Sequence, residues 1–170
     1  MAWQKNPKKR NENLKYYPVC LNLVRQNVLI AGAGQVAERK IKALLKFKPR
    51  LKVVSPLAVP AIIQLARNRK LDWLKRKYQT SDLNQVVLVV AATSDRATNG
   101  KISRDAKKKK ILVNVVDESR LSNFISPAVF QKGKVIVAVS TDGREPKLSR
   151  DLKNFIKEYW DEFLSFRRRG

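Results

Sequence analysis

A run of small residues between an apolar segment and a helical pattern is the part of the sequence best suited to bind phosphate groups. Gly32, Gly34 and Ala37 occupy the three fixed positions of a G-x-G-x-x-A motif. The first glycine permits a tight turn, the second lets backbone approach a pyrophosphate, and the alanine lets a helix pack closely on a strand. The amides and the positive dipole at the start of that helix favour phosphate. The motif favours a dinucleotide site over its alternative, a glycine turn with a purely geometric role.

Polar residues also follow the other apolar segments. Ser55 follows one segment, Thr93–Asp95 follow another, and Asp117 follows a third. Ligands of open α/β sheets bind beyond the carboxyl ends of the strands, so these residues belong to the candidate site. Ser55 occupies the position from which an acidic residue usually binds the ribose 2′-hydroxyl, which leaves both NAD and NADP open. On position alone, Asp117 fits a chemical role and a cap of the following segment equally well.

The elements that must position these residues alternate between strand and helix patterns. Strands are predicted near residues 28–31, 51–54, 71–78, 86–92 and 111–116, and helices near residues 35–45, 58–69 and 95–109. This order predicts a mostly parallel, doubly wound sheet. Asp95 or Ser94 is expected to cap the third helix.

The pattern changes after residue 117. Two strands near residues 124–130 and 134–140 are joined by a short turn, and one long helix is predicted over residues 146–166. This helix carries a stripe of large apolar side chains, namely Leu148, Leu152, Phe155, Ile156, Tyr159, Trp160 and Phe163. Leaving such a stripe in water is costly, so we expect it to pack on a second copy of the chain. Packing within the chain is the alternative.

Composition limits the chemistry and the partners. The 170 residues include 37 Lys and Arg, 14 Asp and Glu, one Cys and no His, with a formal net charge of +23. The lack of histidine excludes His-based zinc sites and Ser-His-Asp triads. The charge favours a polyanionic partner, either nucleic acid, a membrane surface or a small polycarboxylate. Basic patches interleaved with aromatic residues are absent and no segment is long and apolar enough to span a bilayer, so neither specific nucleic-acid binding nor a membrane is expected. A cytoplasmic protein is expected.

Several short motifs occur in order along the chain, and together they resemble one family. They are Tyr17–Leu23, Gly32–Lys40, Ala91–Asp95 with Asn99, Asn114–Asp117, Phe124–Ala128, and Ala138–Gly143 with Pro146. The ordered set resembles the precorrin-2 dehydrogenase family, which also forms the N-terminal domain of siroheme synthases. The resemblance implies a Rossmann-like, NAD-binding domain at residues 17–117. A small β-hairpin and a C-terminal helix at residues 118–170 would provide the dimerisation and substrate region, and residues 1–16 would be a basic extension.

The resemblance implies oxidation of precorrin-2 to sirohydrochlorin in siroheme synthesis, with NAD as the hydride acceptor. The substrate is a tetrapyrrole with many carboxylates, which would explain the basic surface, and the family's homodimer agrees with the apolar helix. Asp117 takes the position of the catalytic aspartate. Together with the motif residues above, the predicted cofactor set is Gly32, Gly34, Gln35, Val36, Ala37, Ser55, Pro56, Leu57, Thr93, Asp95 and Asn99. The predicted substrate set is Asn114, Ser140, Thr141 and Gly143, and no metal-binding residues are expected.

One loop departs from the family pattern. Where relatives commonly have two glycines and a serine, this chain has Asp142-Gly-Arg-Glu145. The two acids would either disfavour a polyanion or pair with Arg144 and nearby lysines. Without histidine and with a lone Cys20, dehydrogenation without efficient iron insertion is expected. The alternatives are a bifunctional enzyme that also inserts Fe²⁺, and a non-catalytic dinucleotide sensor that binds nucleic acid through its basic surface.

Overall fold

Five parallel strands form the main sheet of the computed structural model, which describes residues 14–116 and 118–167. They are β1 (Asn27–Ala31), β2 (Arg50–Val54), β3 (Asp72–Leu74), β4 (Leu88–Ala91) and β5 (Leu112–Val115). Their order in the sheet is β3-β2-β1-β4-β5, with Ile30 of β1 paired with Val53 on one side and Val90 on the other. The predicted Rossmann-like parallel sheet is therefore confirmed.

Three helices cover the two faces of this sheet: α1 (Gln35–Leu45), α2 (Pro60–Arg67) and α3 (Arg96–Lys108). Alternate residues of a strand point to opposite faces. Val28 and Ile30 accordingly pack in one core cluster with α1 and α2, whereas Leu29 and Ala31 pack in the other with α3. Two burial layers thus hold β1 at the centre and fix the position of the turn that follows it.

Residues 20–126 form one compact unit, which we call the sheet unit. Residues 118–126 belong to this unit because they bond to β5, and the predicted dimerisation and substrate region at residues 118–170 stays a prediction. The amide of Val115 donates to Oγ of Ser122 (2.9 Å), and the amide of Asn123 donates to the carbonyl of Val113 (3.0 Å). For the same reason the strand predicted from residue 124 begins only at Ala128.

The second compact unit contains residues 14–19 and 127–167 of the described chain, and we call it the hairpin unit. Strands β6 (Ala128–Lys132) and β7 (Val135–Val139) pair antiparallel and are followed by α4 (Pro146–Glu158) and α5 (Trp160–Arg167). The single long helix of the prediction is therefore interrupted at Tyr159. Trp160 is also misplaced in the predicted stripe, because it is 8% exposed and packs edge-on against Phe130 with ring centroids 5.8 Å apart.

The remaining large side chains of the predicted stripe stay open to solvent within the chain. Leu148, Leu152, Phe155, Tyr159 and Phe163 are each between 45% and 56% exposed, and we call these five residues the apolar stripe. Ile156 is half-buried. None of the helices in the described residues has the length and apolarity needed to cross a membrane.

Candidate functional site

The turn between β1 and α1 requires glycine at residue 32. Gly32 has a φ of +102°, and an added Cβ would collide with the carbonyl oxygen of Ala92 and lie 2.6 Å from its carbon. The Gly32 amide donates to the carbonyl of Val54 (2.9 Å), and the Ala92 amide donates to the carbonyl of Ala31 (2.7 Å). The turn is therefore bonded to both neighbouring strands. Its shape depends on the close approach of the Gly32 backbone to Ala92, the residue that follows β4.

Gly34 leaves open space at the start of α1. Its φ of −86° is ordinary for any residue, and beyond its two chain neighbours no described residue has an atom within 4 Å of the position a Cβ would take. The amides of Gln35–Ala37, like those at the start of any α-helix, have no acceptor inside the helix. No side chain in the described residues caps α1 to supply one. The Glu38 amide is the first to bond within α1, donating to the Gly34 carbonyl (2.9 Å). Open space, unused amides and the helix dipole together fit a pyrophosphate group.

The other residues of the motif differ in burial: one packs in the core, and two lie nearer the surface. Ala37 is fully buried in the core cluster that holds β1, as expected of the residue that brings helix and strand together. Gln35 is exposed and Val36 is half-buried. Both side chains thus lie at the solvent-facing start of α1, where contact with a bound dinucleotide remains a prediction.

Ser55–Leu57 continue from β2 at the carboxyl edge of the sheet. The Ser55 amide donates to the carbonyl of Leu74 (3.2 Å), and the indole Nε1 of Trp73 donates to the carbonyl of Ser55 (3.0 Å). Pro56 is exposed, and Leu57 is 79% exposed. Trp73 was not among the predicted site residues, and its bond fixes the backbone at the point where the predicted cofactor residues of this loop begin.

Thr93, Asp95 and Asn99 form a self-contained network after β4. The amide and hydroxyl of Thr93 donate to Oδ1 of Asn99 (3.2 and 2.8 Å), whose Nδ2 donates to the Thr93 carbonyl (3.0 Å). Asp95 caps α3, as predicted, by accepting the amides of Ala97 (3.0 Å) and Thr98 (3.3 Å) and the hydroxyl of Thr98 (2.5 Å). The bond from the Thr98 hydroxyl, followed by that from the Ala97 amide, lowers the pKa of Asp95. Asp95 and Asn99 thus shape this loop, and direct contact with a cofactor stays a prediction.

Asn114 is a buried polar residue on β5. It is 8% exposed, and its Nδ2 donates to the carbonyl of Phe124 (3.2 Å). It therefore fastens the segment after β5 to the sheet, and its role toward substrate stays a prediction. Asp117, the predicted catalytic aspartate, lies outside the described residues.

The other three predicted substrate residues lie in one loop of the hairpin unit. Ser140–Glu145 connect β7 to α4, and we call this segment the substrate loop. Oγ1 of Thr141 accepts the amide of Glu145 (3.0 Å) and lies 3.0 Å from Oγ of Ser149. Gly143 has a φ of +77°, in the left-handed region that favours glycine. Ser140, Thr141 and Gly143 are thus close together because they lie in one short loop, and hydrogen bonds to α4 hold that loop in place.

Asp142 of this loop has partners that were not predicted from the sequence. Its Oδ1 accepts the amides of Lys15 (3.1 Å) and Tyr16 (3.0 Å), and its Oδ2 lies 3.7 Å from Nη2 of Arg144. The side chain of Asp142 is 7% exposed. The only available signal was the departure from the family pattern, and one expectation drawn from it, pairing with Arg144, is confirmed.

Metal ligands are sparse in the described part of the chain. Within residues 14–116 and 118–167, no group of three or more His, Cys, Asp or Glu side chains could hold a metal ion. Cys20 is an exposed free thiol. Among the described residues, the glycine turn with its open space and unused amides is what fits a cofactor.

Comparison with known proteins gives a family match over the whole sheet unit. The model of a family described as "Putative NAD(P)-binding" matches residues 19–128. That range contains the glycine turn and every predicted cofactor residue. The match therefore identifies the sheet unit as an NAD(P)-binding domain.

Curated relatives and a solved structure extend the likeness. The chain is 38% identical over 151 residues to "Siroheme synthase 1" of Aeromonas salmonicida, covering 89% of this chain and 32% of that protein. It is 34% identical over 144 residues to "Siroheme synthase 1" of Serratia proteamaculans, covering 85% and 30%. The chain thus spans about a third of the length of these relatives. It is also similar to the solved structure of "SirC, precorrin-2 dehydrogenase", with a TM-score of 0.76 and 30% identity, covering 90% of this chain and 76% of that one.

Proposed function

Because this chain belongs to the precorrin-2 dehydrogenase family, we propose that it oxidises precorrin-2 to sirohydrochlorin with NAD as the hydride acceptor. The observation that carries the proposal is the open position at Gly34, which is followed by the uncapped first turn of α1. Space and unused amides at the family's dinucleotide motif are what a pyrophosphate needs. When bound, NAD supplies the acceptor for hydride, and the protein supplies its binding and orientation.

Two neighbouring loops would hold the rest of the dinucleotide. Ser55–Leu57 lie at the end of β2, where the adenosine ribose binds in sheets of this type. Ser55 has no carboxylate with which to bind the 2′-hydroxyl, so its hydroxyl and the backbone would make that contact. Thr93, at the end of β4, is held in place by Asn99, and Asp95 fixes the start of α3 beside it.

We assign the proton-transfer role to Asp117. Removing a hydride from carbon leaves a proton that must be lost as the new double bond forms, and a carboxylate can accept it. The family motif Asn114–Asp117 supports the assignment. Because Asp117 lies outside the described residues, the assignment rests on the motif and on a direct test.

The substrate loop would bind the tetrapyrrole through its hydroxyl groups. Ser140 accepts the amide hydrogen of Asp142 (3.2 Å), and a hydroxyl that accepts one hydrogen bond still has a hydrogen to donate to a carboxylate. The net charge of +23 attracts a substrate with many carboxylates and raises its local concentration. The charge excess is thus explained without a nucleic-acid partner.

We further propose that the protein is a cytoplasmic homodimer in which the apolar stripes of two copies pack together. The five side chains of the apolar stripe retain about half of their exposure. Burying a side chain of this kind stabilises by about 1.5–3 kcal/mol, so a symmetric partner gains substantially from covering the stripe. The exposed free thiol of Cys20 suits a reducing compartment.

The test is turnover of precorrin-2 with NAD under anaerobic conditions, measured by the absorbance of the sirohydrochlorin that forms. We expect Asp117→Ala to bind NAD as wild type does and to lose about 10²–10⁴-fold in kcat. Asp151→Ala, which removes an exposed acid from α4, is the matched control and should keep full activity. Wild-type turnover no faster than the spontaneous oxidation would refute the proposal, and unfolding of Asp117→Ala would favour a capping role for that residue.

The same preparations test the two alternatives. If siroheme forms from sirohydrochlorin and Fe²⁺ as fast as the oxidation runs, the enzyme is bifunctional. If a gel-shift titration finds sequence-specific nucleic-acid binding that survives physiological salt, the nucleic-acid sensor gains support. We expect only weak binding that is lost as salt rises.

A further inference from the structure

We propose that Asp142 is a positioning residue that fastens residues 14–16 to the substrate loop and thereby sets the loop's shape and charge for binding a polycarboxylate. We call its bonds to the amides of Lys15 and Tyr16 the latch. The role of the latch toward substrate rests on the proposed function. The latch itself is a property of the hairpin unit and can be measured without substrate.

The contacts of Asp142 join two segments that are far apart in the chain. One carboxylate oxygen accepts two backbone amides at 3.1 and 3.0 Å from residues more than 120 positions away. A charged acceptor makes stronger hydrogen bonds than a neutral one, and at 7% exposure this side chain is largely shielded from competing water. These bonds therefore order residues 14–16 against the loop.

The latch is coupled to the groups assigned to the substrate. The backbone of Asp142 is left-handed, with a φ of +57°, and its amide donates to Oγ of Ser140 (3.2 Å). The next residues continue the turn, because the amide of Arg144 donates to the carbonyl of Thr141 (3.0 Å). The residue that holds the N-terminal segment thus also donates its own amide to the hydroxyl of Ser140, so a shift of the loop backbone on loss of the latch would displace that hydroxyl.

The latch also offsets the negative charge of the acid at residue 142. An isolated carboxylate at residue 142 would repel a polycarboxylate. Here two amides stabilise it and Nη2 of Arg144 lies 3.7 Å away, and the segment it holds carries the ammonium of Lys15, which lies 5.1 Å from the ring centre of Tyr16. Breaking the latch should therefore weaken substrate binding, whereas an acid that only repels the substrate would give tighter binding when it is removed.

Amide hydrogen exchange at Lys15 and Tyr16 tests the latch directly. Asp142→Gly removes the carboxylate and tolerates the left-handed backbone, and Asp142→Asn keeps an oxygen that can accept both amides. We expect exchange at both amides to rise about tenfold or more in Asp142→Gly and to stay near wild type in Asp142→Asn. Asp151→Ala, the same charge change on exposed α4, should leave exchange unchanged. Equal exchange in wild type and Asp142→Gly would overturn the latch.

Kinetics with precorrin-2 test the positioning role. We expect Asp142→Gly to raise KM about fivefold with kcat nearly unchanged, and Asp142→Asn to restore KM. A lower KM in Asp142→Gly, or equal KM in all variants, would overturn the role.

A second pair of variants changes the donor side of the latch. Lys15→Pro and Lys15→Gln both remove the charge, but only Lys15→Pro removes the amide donor and should increase exchange at Tyr16. If wild type does not turn over, the proposed function has failed, while exchange still decides the latch and titration with sirohydrochlorin replaces KM.

Discussion

Separate replacement of Gly32 and Gly34 by alanine would distinguish a glycine that the fold needs from one that the ligand needs. At Gly32 the new methyl group would take a backbone φ of +102° and lie 2.6 Å from the carbonyl carbon of Ala92. The strained backbone costs about 1–3 kcal/mol. Displacing packed backbone at the end of β4 costs about another 1–3 kcal/mol.

For Gly32→Ala we therefore expect a loss of about 2–6 kcal/mol from the free energy of unfolding, which is a large part of the roughly 5–15 kcal/mol that holds a domain together. The midpoint of thermal unfolding should fall by at least about 4 °C. Binding of NAD should weaken as a consequence, since the turn can no longer close on Ala92.

For Gly34→Ala the expectation is the reverse. Its φ of −86° suits alanine, and beyond its two chain neighbours no described residue has an atom within 4 Å of the new Cβ. Alanine is the poorer N-cap by about 1 kcal/mol, while a stiffer unfolded chain returns about 0.4–1 kcal/mol, so stability should change by less than about 1 kcal/mol. The methyl group would fill the space left for the pyrophosphate, and we expect NAD to bind about tenfold or more weakly, equivalent to about 1.4 kcal/mol.

Denaturation followed by circular dichroism measures the stability of both variants, and isothermal titration calorimetry measures their affinity for NAD. Both variants add one methyl group to the same turn, at positions only two residues apart, so each is the control for the other. Wild-type affinity in Gly34→Ala would refute the placement of the pyrophosphate. Wild-type stability in Gly32→Ala would refute the role assigned to the contact with Ala92.

Two further predictions concern assembly and pH. Phe155→Glu should convert a dimer to a monomer in sedimentation equilibrium, whereas Asn154→Glu, the same charge off the apolar stripe, should not; a monomeric wild type at micromolar concentration would rule out the dimer. Asp95 has a lowered pKa when folded, so its contribution to stability is complete above its unfolded pKa of about 3.8 and is lost as pH falls through the lower folded value. The difference in unfolding free energy between wild type and Asp95→Ala should therefore be constant at neutral pH and shrink below pH 3.8, and a difference that persists unchanged in acid would contradict the capping geometry.

Local pattern was sufficient to predict most of the sheet unit. Apolar runs such as Leu88–Ala91 are buried on both sides, and their alternation with helical patterns leaves few arrangements other than a parallel sheet. The same holds for Asp95, whose cap follows from its position directly before α3. These features depend on residues close together in the chain, which a sequence displays directly.

Features that depend on distant contacts were not predictable. The strand predicted over residues 71–78 is limited to Asp72–Leu74, because the amide of Arg76 turns back to the carbonyl of Leu74 (2.8 Å) and its side chain pairs with Asp82. The burial of Trp160 depends on Phe130, thirty positions earlier, so the spacing of apolar residues in the helix alone could not exclude it from the stripe. The latch of Asp142 is the same kind of feature, since its partners lie near the other end of the sequence.

Thr93 and Asn99 satisfy one another's polar groups through three hydrogen bonds within the protein. The loop after β4 therefore gives up its conformational freedom when the protein folds, and a dinucleotide that arrives later has no such freedom to remove. Ordering a flexible side chain during binding costs about 0.5–1.5 kcal/mol, a penalty that this loop has already met in the free energy of folding. The affinity of the site is then set by contacts and desolvation, and a variant such as Asn99→Ala would transfer the entropic cost from folding to binding.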